Sequence, residues 1–311
     1  MALVEIERLR KEYEGLVALD DLSLSIGEGE ILGFIGPNGA GKSTTIRILA
    51  TLLEPTSGRA RIDGIDVMED PDAVRARIGY MPDSFGVYDD FKVWEYLDFF
   101  ASAYRIPKVD RPGLVDMVLD VTNLTVKRDA WVESLSRGMK QRLCLARTLV
   151  HNPKLLLLDE PASGLDPRAR IEFREMLREL RALGKTIVVS SHILPELADF
   201  CTSVAIVEKG VLKVAGPIAD VMGEAREHRV LEVGVPDTDR AAAERVLGAF
   251  RGVESVVLLG GVFKVDFDGD LDQQTTLLRA LLDSGVRVRR FAEDMGDLED
   301  LFLRVTEGQL A

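Results

Sequence analysis

The sequence has little cysteine and no long apolar run. Its 311 residues include two cysteines, Cys144 and Cys201, in unrelated contexts without metal-ligand spacing, which favours a reducing intracellular compartment over a disulfide framework. No apolar run approaches the roughly 20 residues of a membrane span, and residues 1–7 carry charges where a signal peptide would have its apolar core. We therefore expect a soluble, cytoplasmic protein without direct membrane insertion, which reaches a membrane only through a partner.

Positive charge is also in deficit. The chain has 39 Lys and Arg residues against 52 Asp and Glu residues, a net charge of -13, which argues against a general nucleic-acid-binding surface. The deficit does not exclude a nucleotide, because a few local donors decide nucleotide binding. The length fits one large or two medium domains, and the hydrophobic content of 46% is enough to build cores.

Glycine is concentrated in one stretch, which we call the phosphate loop: Gly36-Pro37-Asn38-Gly39-Ala40-Gly41-Lys42-Ser43-Thr44. It fits G-x-x-x-x-G-K-[ST] and lies between a predicted strand, residues 31–35, and a predicted helix, residues 45–49, which is the context the motif requires. We expect its backbone N–H groups to cradle phosphates, Lys42 to reach the β- and γ-phosphates, and the Ser43 hydroxyl to bind Mg²⁺. A plain glycine-rich turn would leave the offsets of Lys42 and Ser43 unexplained.

A pair of acids follows a buried apolar strand, residues 154–158. Asp159 is predicted to hold Mg²⁺ directly or through water, and Glu160 to act as the general base that activates the attacking water. Ordinary surface acids at a strand end are the alternative, which the neighbouring phosphate loop disfavours. His192 ends the next apolar strand, residues 186–191, and is predicted to hydrogen-bond the γ-phosphate rather than to be structural.

Strand–helix alternation with buried apolar strands predicts a largely parallel sheet covered by helices on both faces. Residues 2–9 and 22–26 alternate as strands, with a turn over 11–15 and a hairpin turn over 27–30 that leads into the strand 31–35. A helical insertion is expected over about 85–150. After residue 220 the pattern predicts a small α+β domain of order β-α-β-β-α-β, similar to a ferredoxin-like fold. Its predicted strands are 229–235, 253–267 and 286–291, and its predicted helices are 241–250, 271–282 and 297–305.

Several motifs occur in the order found in one family of phosphate-loop proteins: Tyr13, the phosphate loop, Leu135-Ser136-Arg137-Gly138-Met139, Leu155–Glu160, Ser163-Gly164-Leu165-Asp166 and His192. Over residues 1–215 the chain resembles the ATP-binding-cassette (ABC) ATPases. The resemblance implies an α/β cassette over residues 1–220, with a parallel core, an antiparallel β subdomain and a helical subdomain, and an accessory domain over 221–311.

The same resemblance implies a dimer, most simply a homodimer, with two MgATP at its interface. Tyr13 would stack on adenine, Ser136 and Gly138 would contact the γ-phosphate held by the partner, and Asp166 would contact the partner subunit. A turn tyrosine is the alternative for Tyr13, and Asp166-Pro167 also has the pattern of a helix N-cap followed by its first residue.

The chain departs from the family pattern at three positions. In the family's LSGGQ signature, Arg137 replaces a glycine and Met139 a glutamine. Asp83 stands where the family has a glutamine that binds Mg²⁺. A carboxylate is also a good Mg²⁺ ligand, so we assign Asp83 to the metal, although Ser84 and Gly86 leave the local register open.

Residues 80–83, the signature and the acidic segment 297–302 resemble a branch in which the ATPase is a separate chain paired with a polytopic export permease. That branch implies ATP hydrolysis at the inner face of the cell membrane and a docking surface over 85–105, with a groove of Phe85, Tyr88 and Phe91. Core packing is the alternative for these aromatic residues. The transported substrate stays open, because the permease selects it.

The rival class is a soluble ABC-type ATPase that acts on nucleic acid or ribosomes. A single phosphate loop, the absence of a heptad or zinc insertion and the acidic net charge count against it. An unrelated kinase or GTPase would leave residues 136–139 unexplained.

Overall fold

The structure is a computed structural model that describes residues 2–84, 86–191, 197, 199–224 and 229–294. The chain divides into two compact units between Ile218 and Ala219, close to the predicted boundary at residue 220. Phe85, His192 and the predicted last helix, residues 297–305, lie outside the described residues.

The first unit contains strands and helices in alternation along most of its length. Its strands are β1 (Ala2–Tyr13), β2 (Leu16–Gly27), β3 (Ile31–Ile35), β4 (Ser57–Ile62), β5 (Ile65–Asp66), β6 (Ile78–Met81), β7 (Leu155–Leu158), β8 (Thr186–Ser191), β9 (Ser203–Glu208) and β10 (Val211–Pro217). Its helices are α1 (Lys42–Leu49), α2 (Pro71–Arg75), α3 (Val93–Ala103), α4 (Arg111–Val121), α5 (Arg137–Leu149) and α6 (Pro167–Ala182), and α7 (Ile218–Glu224) follows at the junction of the units. Within the described segments, no helix combines the length and the apolarity needed to cross a bilayer.

The central sheet has six strands in the order β10-β9-β3-β8-β7-β6. All of its pairings are parallel except that of β9 with β10, which confirms the predicted parallel core. Because β3 and β7 flank β8 in parallel, their carboxyl ends meet at one edge, where open α/β sheets bind ligands. The phosphate loop and Asp159 therefore leave the sheet at the same edge, one on each side of β8.

The second sheet is antiparallel, in the order β2-β1-β4-β5. The predicted turn over 11–15 is wrong, because pairing of Tyr13 with Leu16 carries β1 through Tyr13 and confines the turn to Glu14 and Gly15. The predicted hairpin over 27–30 is also wrong. The strands on its two sides belong to different sheets, since β2 pairs with β1 whereas β3 pairs with β8 and β9.

One hydrophobic core joins the two sheets through α1. It includes Leu19 of β2, Phe34 of β3, Ile46 of α1 and Leu157 of β7, each at most 1% exposed. Burial of each large apolar side chain contributes about 1.5–3 kcal/mol. The phosphate loop consequently connects two elements, β3 and α1, whose positions this core fixes.

The second unit has the predicted element order β-α-β-β-α-β, formed by β11 (Arg229–Gly234), α8 (Arg240–Ala249), β12 (Val253–Leu259), β13 (Val262–Phe267), α9 (Leu271–Asp283) and β14 (Arg290–Asp294). Its sheet runs β12-β13-β11-β14, and every pairing is antiparallel. The last strand begins later than the predicted 286–291. Val286 packs in the core, and Arg287 is held outside the ladder by hydrogen bonds from its backbone and guanidinium to Asp239.

Candidate nucleotide site

The phosphate loop follows a course that requires glycine. Gly39 and Gly41 have φ of 81° and 105°, in the left-handed region that other residues rarely adopt. An added Cβ at Gly41 would lie 2.7 Å from the carbonyl oxygen of Ala18, and one at Gly36 would collide with the carbonyl oxygen of Val207. The close approach of neighbouring backbone atoms therefore requires a glycine at Gly36 and at Gly41.

Lys42 is the first residue of α1, and its ammonium group is almost enclosed. Nζ donates to the carbonyl oxygens of Gly36 at 2.6 Å and Pro37 at 3.2 Å, and it lies 3.8 Å from Oε1 of Glu160. The residue is 6% exposed. Burial lowers the pKa of Lys42, and the carboxylates of Glu160 and Asp159 oppose that shift.

Asp159 is held by two hydroxyl groups. The Oγ atoms of Ser43 and Ser190 donate to its Oδ1 at 3.0 Å and 2.8 Å, and its backbone N–H donates to Met81 at 2.9 Å. Sequence reasoning missed Ser190. Its available signal was a hydroxyl residue one position before the end of the apolar strand β8, at the sheet edge where ligands bind.

Glu160 has a left-handed backbone conformation, with φ of 48°, an uncommon geometry for a non-glycine residue that concentrates at functional sites. Its backbone N–H donates to Ser190 Oγ at 2.8 Å. Ser190 therefore connects the carboxylate of Asp159 to the backbone of Glu160.

Lys42, Ser43 and Glu160 open into one groove, which we call the phosphate-loop groove. Its lining includes Tyr13, Leu16, Val17, Ala18, Asn38, Gly39, Ala40, Gly41, Lys42, Ser43, Thr44, Asp83, Glu160 and Ser163. Tyr13 and Asp83 are both exposed, and Lys11 Nζ lies 5.2 Å from the centre of the Tyr13 ring. The structure thus brings Tyr13, most of the phosphate loop, Asp83 and Glu160 to one cavity. Asp159 is buried next to it and accepts a hydrogen bond from Ser43.

A second groove, the signature groove, contains the remaining predicted contacts. It is lined by Ser136, Arg137, Gly138, Met139, Arg142, Gly164, Leu165, Asp166, Arg168, Ala169 and Glu172. Ser136 is the N-cap of α5 and accepts from the Met139 N–H at 3.4 Å, and Asp166 is the N-cap of α6 and accepts from the Ala169 N–H at 2.9 Å. The structure therefore groups Ser136, Gly138 and Asp166 together, but in a different groove from the phosphate loop.

The fold and the phosphate-loop groove define a phosphate-loop nucleotide-binding protein. The family model described as ABC transporter matches residues 19–163. Nod factor export ATP-binding protein I of Paraburkholderia xenovorans (strain LB400) is 36% identical over 76% of this chain and 78% of its own length. The protein of the same name from Rhizobium meliloti (strain 1021) is 34% identical over 99% of this chain and 89% of its own.

Solved structures agree with the sequence relatives. The cbiO1 protein of Clostridium perfringens, described as part of the ABC transporter complex cbiONQ, superposes with a TM-score of 0.66 at 28% identity, over 72% of this chain and 92% of its own. MJ0796, described as a dimeric bacterial ABC transporter cassette, gives a TM-score of 0.63 at 28% identity, over 69% and 98%. The chain therefore belongs to the ABC transporter family, as an ATP-binding subunit.

Proposed function

We propose that this subunit hydrolyses ATP as a dimer with a second cassette and thereby drives export through a separate membrane permease. The observation that carries the proposal is the hydrogen-bonded arrangement of Ser43, Asp159, Ser190 and Glu160 beside Lys42 at the phosphate-loop groove. This arrangement supports roles for Lys42 as the cation, for Ser43 and Asp159 as oxygen ligands and for Glu160 as the base.

The donor set fits a magnesium nucleotide. Mg²⁺ prefers oxygen ligands, and Ser43 Oγ and Asp159 Oδ1 lie 3.0 Å apart, with the Asp83 carboxylate on the same groove. Bound Mg²⁺ would neutralise charge on the phosphates. Lys42 would contact the β- and γ-phosphates, Glu160 would accept the proton of the attacking water, and Tyr13 would stack on adenine. The γ-phosphate contact of His192 stays a prediction.

The dimer would complete each site. Ser136 and the N-terminus of α5 offer donors suited to a phosphate, yet they line a groove apart from the phosphate loop of the same chain. An added Cβ at Gly138 would meet Leu165 and Ala169 no closer than 3.5 Å, so intrachain packing does not require this glycine. We infer that Ser136, Gly138 and Asp166 face the nucleotide and loops of a partner cassette, as the dimeric description of MJ0796 supports.

The export and permease assignments rest on the relatives' names and on an aromatic cluster. Two relatives are named Nod factor export ATP-binding proteins. Tyr88 and Phe99 are 56% and 46% exposed, and both rings contact Phe91 with centroids about 6 Å apart. Tyr96, in the same cluster, is fully buried. The buried members form core, and the exposed ones would receive the permease at the inner face of the membrane.

The rival assignment, a soluble ATPase that acts on nucleic acid or ribosomes, has less support. The relatives reported above are named for export, and the net charge of -13 disfavours a nucleic-acid surface.

The test uses Glu160→Gln, which removes the base while keeping the shape of the side chain. We expect the variant to bind ATP, to lose hydrolysis by a factor of roughly 10²–10⁴, and to form an ATP-dependent dimer measured by light scattering. Tagged variant with ATP, added to detergent-solubilised native membranes, should recover a polytopic membrane protein in near-equal amount. Hydrolysis close to the parent's would remove Glu160 from the base role. Recovery of ribosomes or nucleic acid instead would favour the rival class.

A separate variant tests docking. Replacement of Tyr88 and Phe99 by Ala should leave the ATPase activity of the isolated subunit unchanged and weaken recovery of the permease. Val126→Ala, which shortens an exposed apolar side chain outside the cluster, is the control. Full recovery of the permease by the double variant would contradict the docking assignment.

A further inference from the structure

Arg137 contacts Ser163 and Gly164, and the roles proposed above do not account for this contact. It is the first residue of α5, and its Nη2 donates to the carbonyl oxygen of Ser163 at 3.3 Å. Its guanidinium lies against Gly164, where an added Cβ would collide with it. Gly164 has φ of 70°. The absence of a side chain at Gly164 thus leaves the space that the guanidinium occupies.

Ser163 lies at the point in the chain where the lining of the phosphate-loop groove is followed by the lining of the signature groove. It lines the phosphate-loop groove together with Glu160, and its N–H donates to the Glu160 carbonyl oxygen at 3.1 Å. The three residues after it, Gly164–Asp166, line the signature groove. Two hydrogen bonds therefore lead from Arg137, beside the signature residue Ser136, to the backbone of Glu160.

Arg137 differs from the other cations of the signature groove. Arg142 and Arg168 both pair with the carboxylate of Glu172. Among the described residues Arg137 has no such carboxylate partner, and its hydrogen bond goes to the main chain. A planar, multi-donor guanidinium can hold a carbonyl oxygen and a glycine surface together in a way that an ammonium group cannot.

We propose that Arg137 is a positioning residue that couples the signature groove to the general base of the same subunit. The inference rests on the proposed function. A phosphate that belongs to the nucleotide of a partner cassette and binds at Ser136 would fix the position of the N-terminus of α5. Arg137 would transmit that position through Ser163 to Glu160. In a dimer, the nucleotide in one site would then order the base of the other site, which makes the two sites cooperative.

The first experiment compares Arg137→Ala with Arg137→Lys and with Arg168→Ala, a control that removes the same charge from the same groove. We expect Arg137→Ala to lower kcat about tenfold, in line with the loss of one charge-assisted hydrogen bond, to leave KM for ATP nearly unchanged, and to abolish cooperativity in ATP. Arg137→Lys should not restore cooperativity. Full rescue by lysine would instead indicate a cation that only attracts phosphate, and would overturn the proposal.

A double-mutant cycle tests the route. Gly164→Ala should displace the guanidinium, so its effect on kcat and that of Arg137→Ala should be strongly non-additive. Additive effects would contradict a shared path.

Hydrogen exchange without nucleotide separates this inference from the proposed function. The amides of residues 163–166 should exchange faster in Arg137→Ala than in the parent or in Arg168→Ala. An unchanged exchange rate of these amides would refute the proposed coupling, even if the subunit is an active ATPase. Faster exchange in a chain that does not hydrolyse ATP would sustain the contact while refuting the proposed function.

Discussion

The two grooves of the cassette are built by different means. Lys42, which lines the phosphate-loop groove, and Asp159, which hydrogen-bonds Ser43 of that groove, are 6% and 1% exposed and are fixed by hydrogen bonds to the loop and to Ser190. In the signature groove, Ser136 and Arg137 are exposed, and the main order comes from two helix caps. One groove is organised by the core of the chain, whereas the other presents its donors outward. The difference supports the proposal that the first groove holds a ligand of its own and the second serves a ligand brought by a partner.

The largest effect should come from the buried cation. Lys42→Met keeps the length of the side chain and removes its charge, so we expect ATPase activity to fall by about two orders of magnitude or more, since electrostatic stabilisation of the transferred phosphoryl group is lost. Lys185→Met is the matched control, because Lys185 also has its pKa lowered by burial and donates to a carbonyl oxygen outside both grooves. Steady-state phosphate release measures both. Equal ATPase activities of the two variants would contradict a role for the Lys42 charge in catalysis.

Alanine substitutions at two glycines should change the stability of the fold and the ATPase activity independently of each other. Gly36→Ala forces a collision with the carbonyl oxygen of Val207 and should destabilise the fold by about 1–3 kcal/mol. Gly138→Ala meets only ordinary contacts inside helix α5, and alanine favours a helix by up to about 1 kcal/mol. It should therefore keep or raise Tm while lowering ATPase activity roughly tenfold, if a partner's phosphate approaches there closely enough to need a glycine.

Gly113→Ala, in helix α4 with open space around it, controls for the helix effect. Thermal melts and phosphate release on the three variants are sufficient. Full activity of Gly138→Ala would remove the argument that its glycine serves an external ligand.

The smallest effect should come from Tyr13, which is exposed at the rim of the phosphate-loop groove. Tyr13→Ala should raise KM for ATP a few-fold, because ring stacking contributes about 0.5–1.5 kcal/mol, and should leave kcat nearly unchanged. Tyr13→Phe keeps the ring and should behave as the parent does. A change in kcat without a change in KM would speak against stacking.

Local signals were enough to predict much of the site. The phosphate loop, the Asp159-Glu160 pair at the end of β7 and the Asp166 helix cap follow from residue types at short fixed spacings, and each of these elements lies where the sequence predicts. The parallel core and the element order of the second unit also follow from the alternation of apolar patterns.

The errors and omissions come from long-range pairing. The β1–β2 ladder extends past the charged residues near Tyr13, and the glycine-rich turn after β2 joins two sheets instead of one hairpin. Ser190 reaches Asp159 and Glu160 only because β8 lies beside β7 in the sheet. The contact of Arg137 with Ser163 spans 26 residues. Strand order and loop packing decide these contacts, and no local pattern encodes either.

The most direct test of the account is a mixture of two inactive subunits. Lys42→Met disables the phosphate-loop groove, and Gly138→Asp disables the signature groove by placing a carboxylate against the incoming phosphate. If each site combines the phosphate-loop groove of one subunit with the signature groove of its partner, a mixed dimer contains one site with both intact grooves. The mixture should then hydrolyse ATP well above the sum of the two variants measured alone. Activity no greater than that sum, with mixed dimers shown to form, would contradict the shared site.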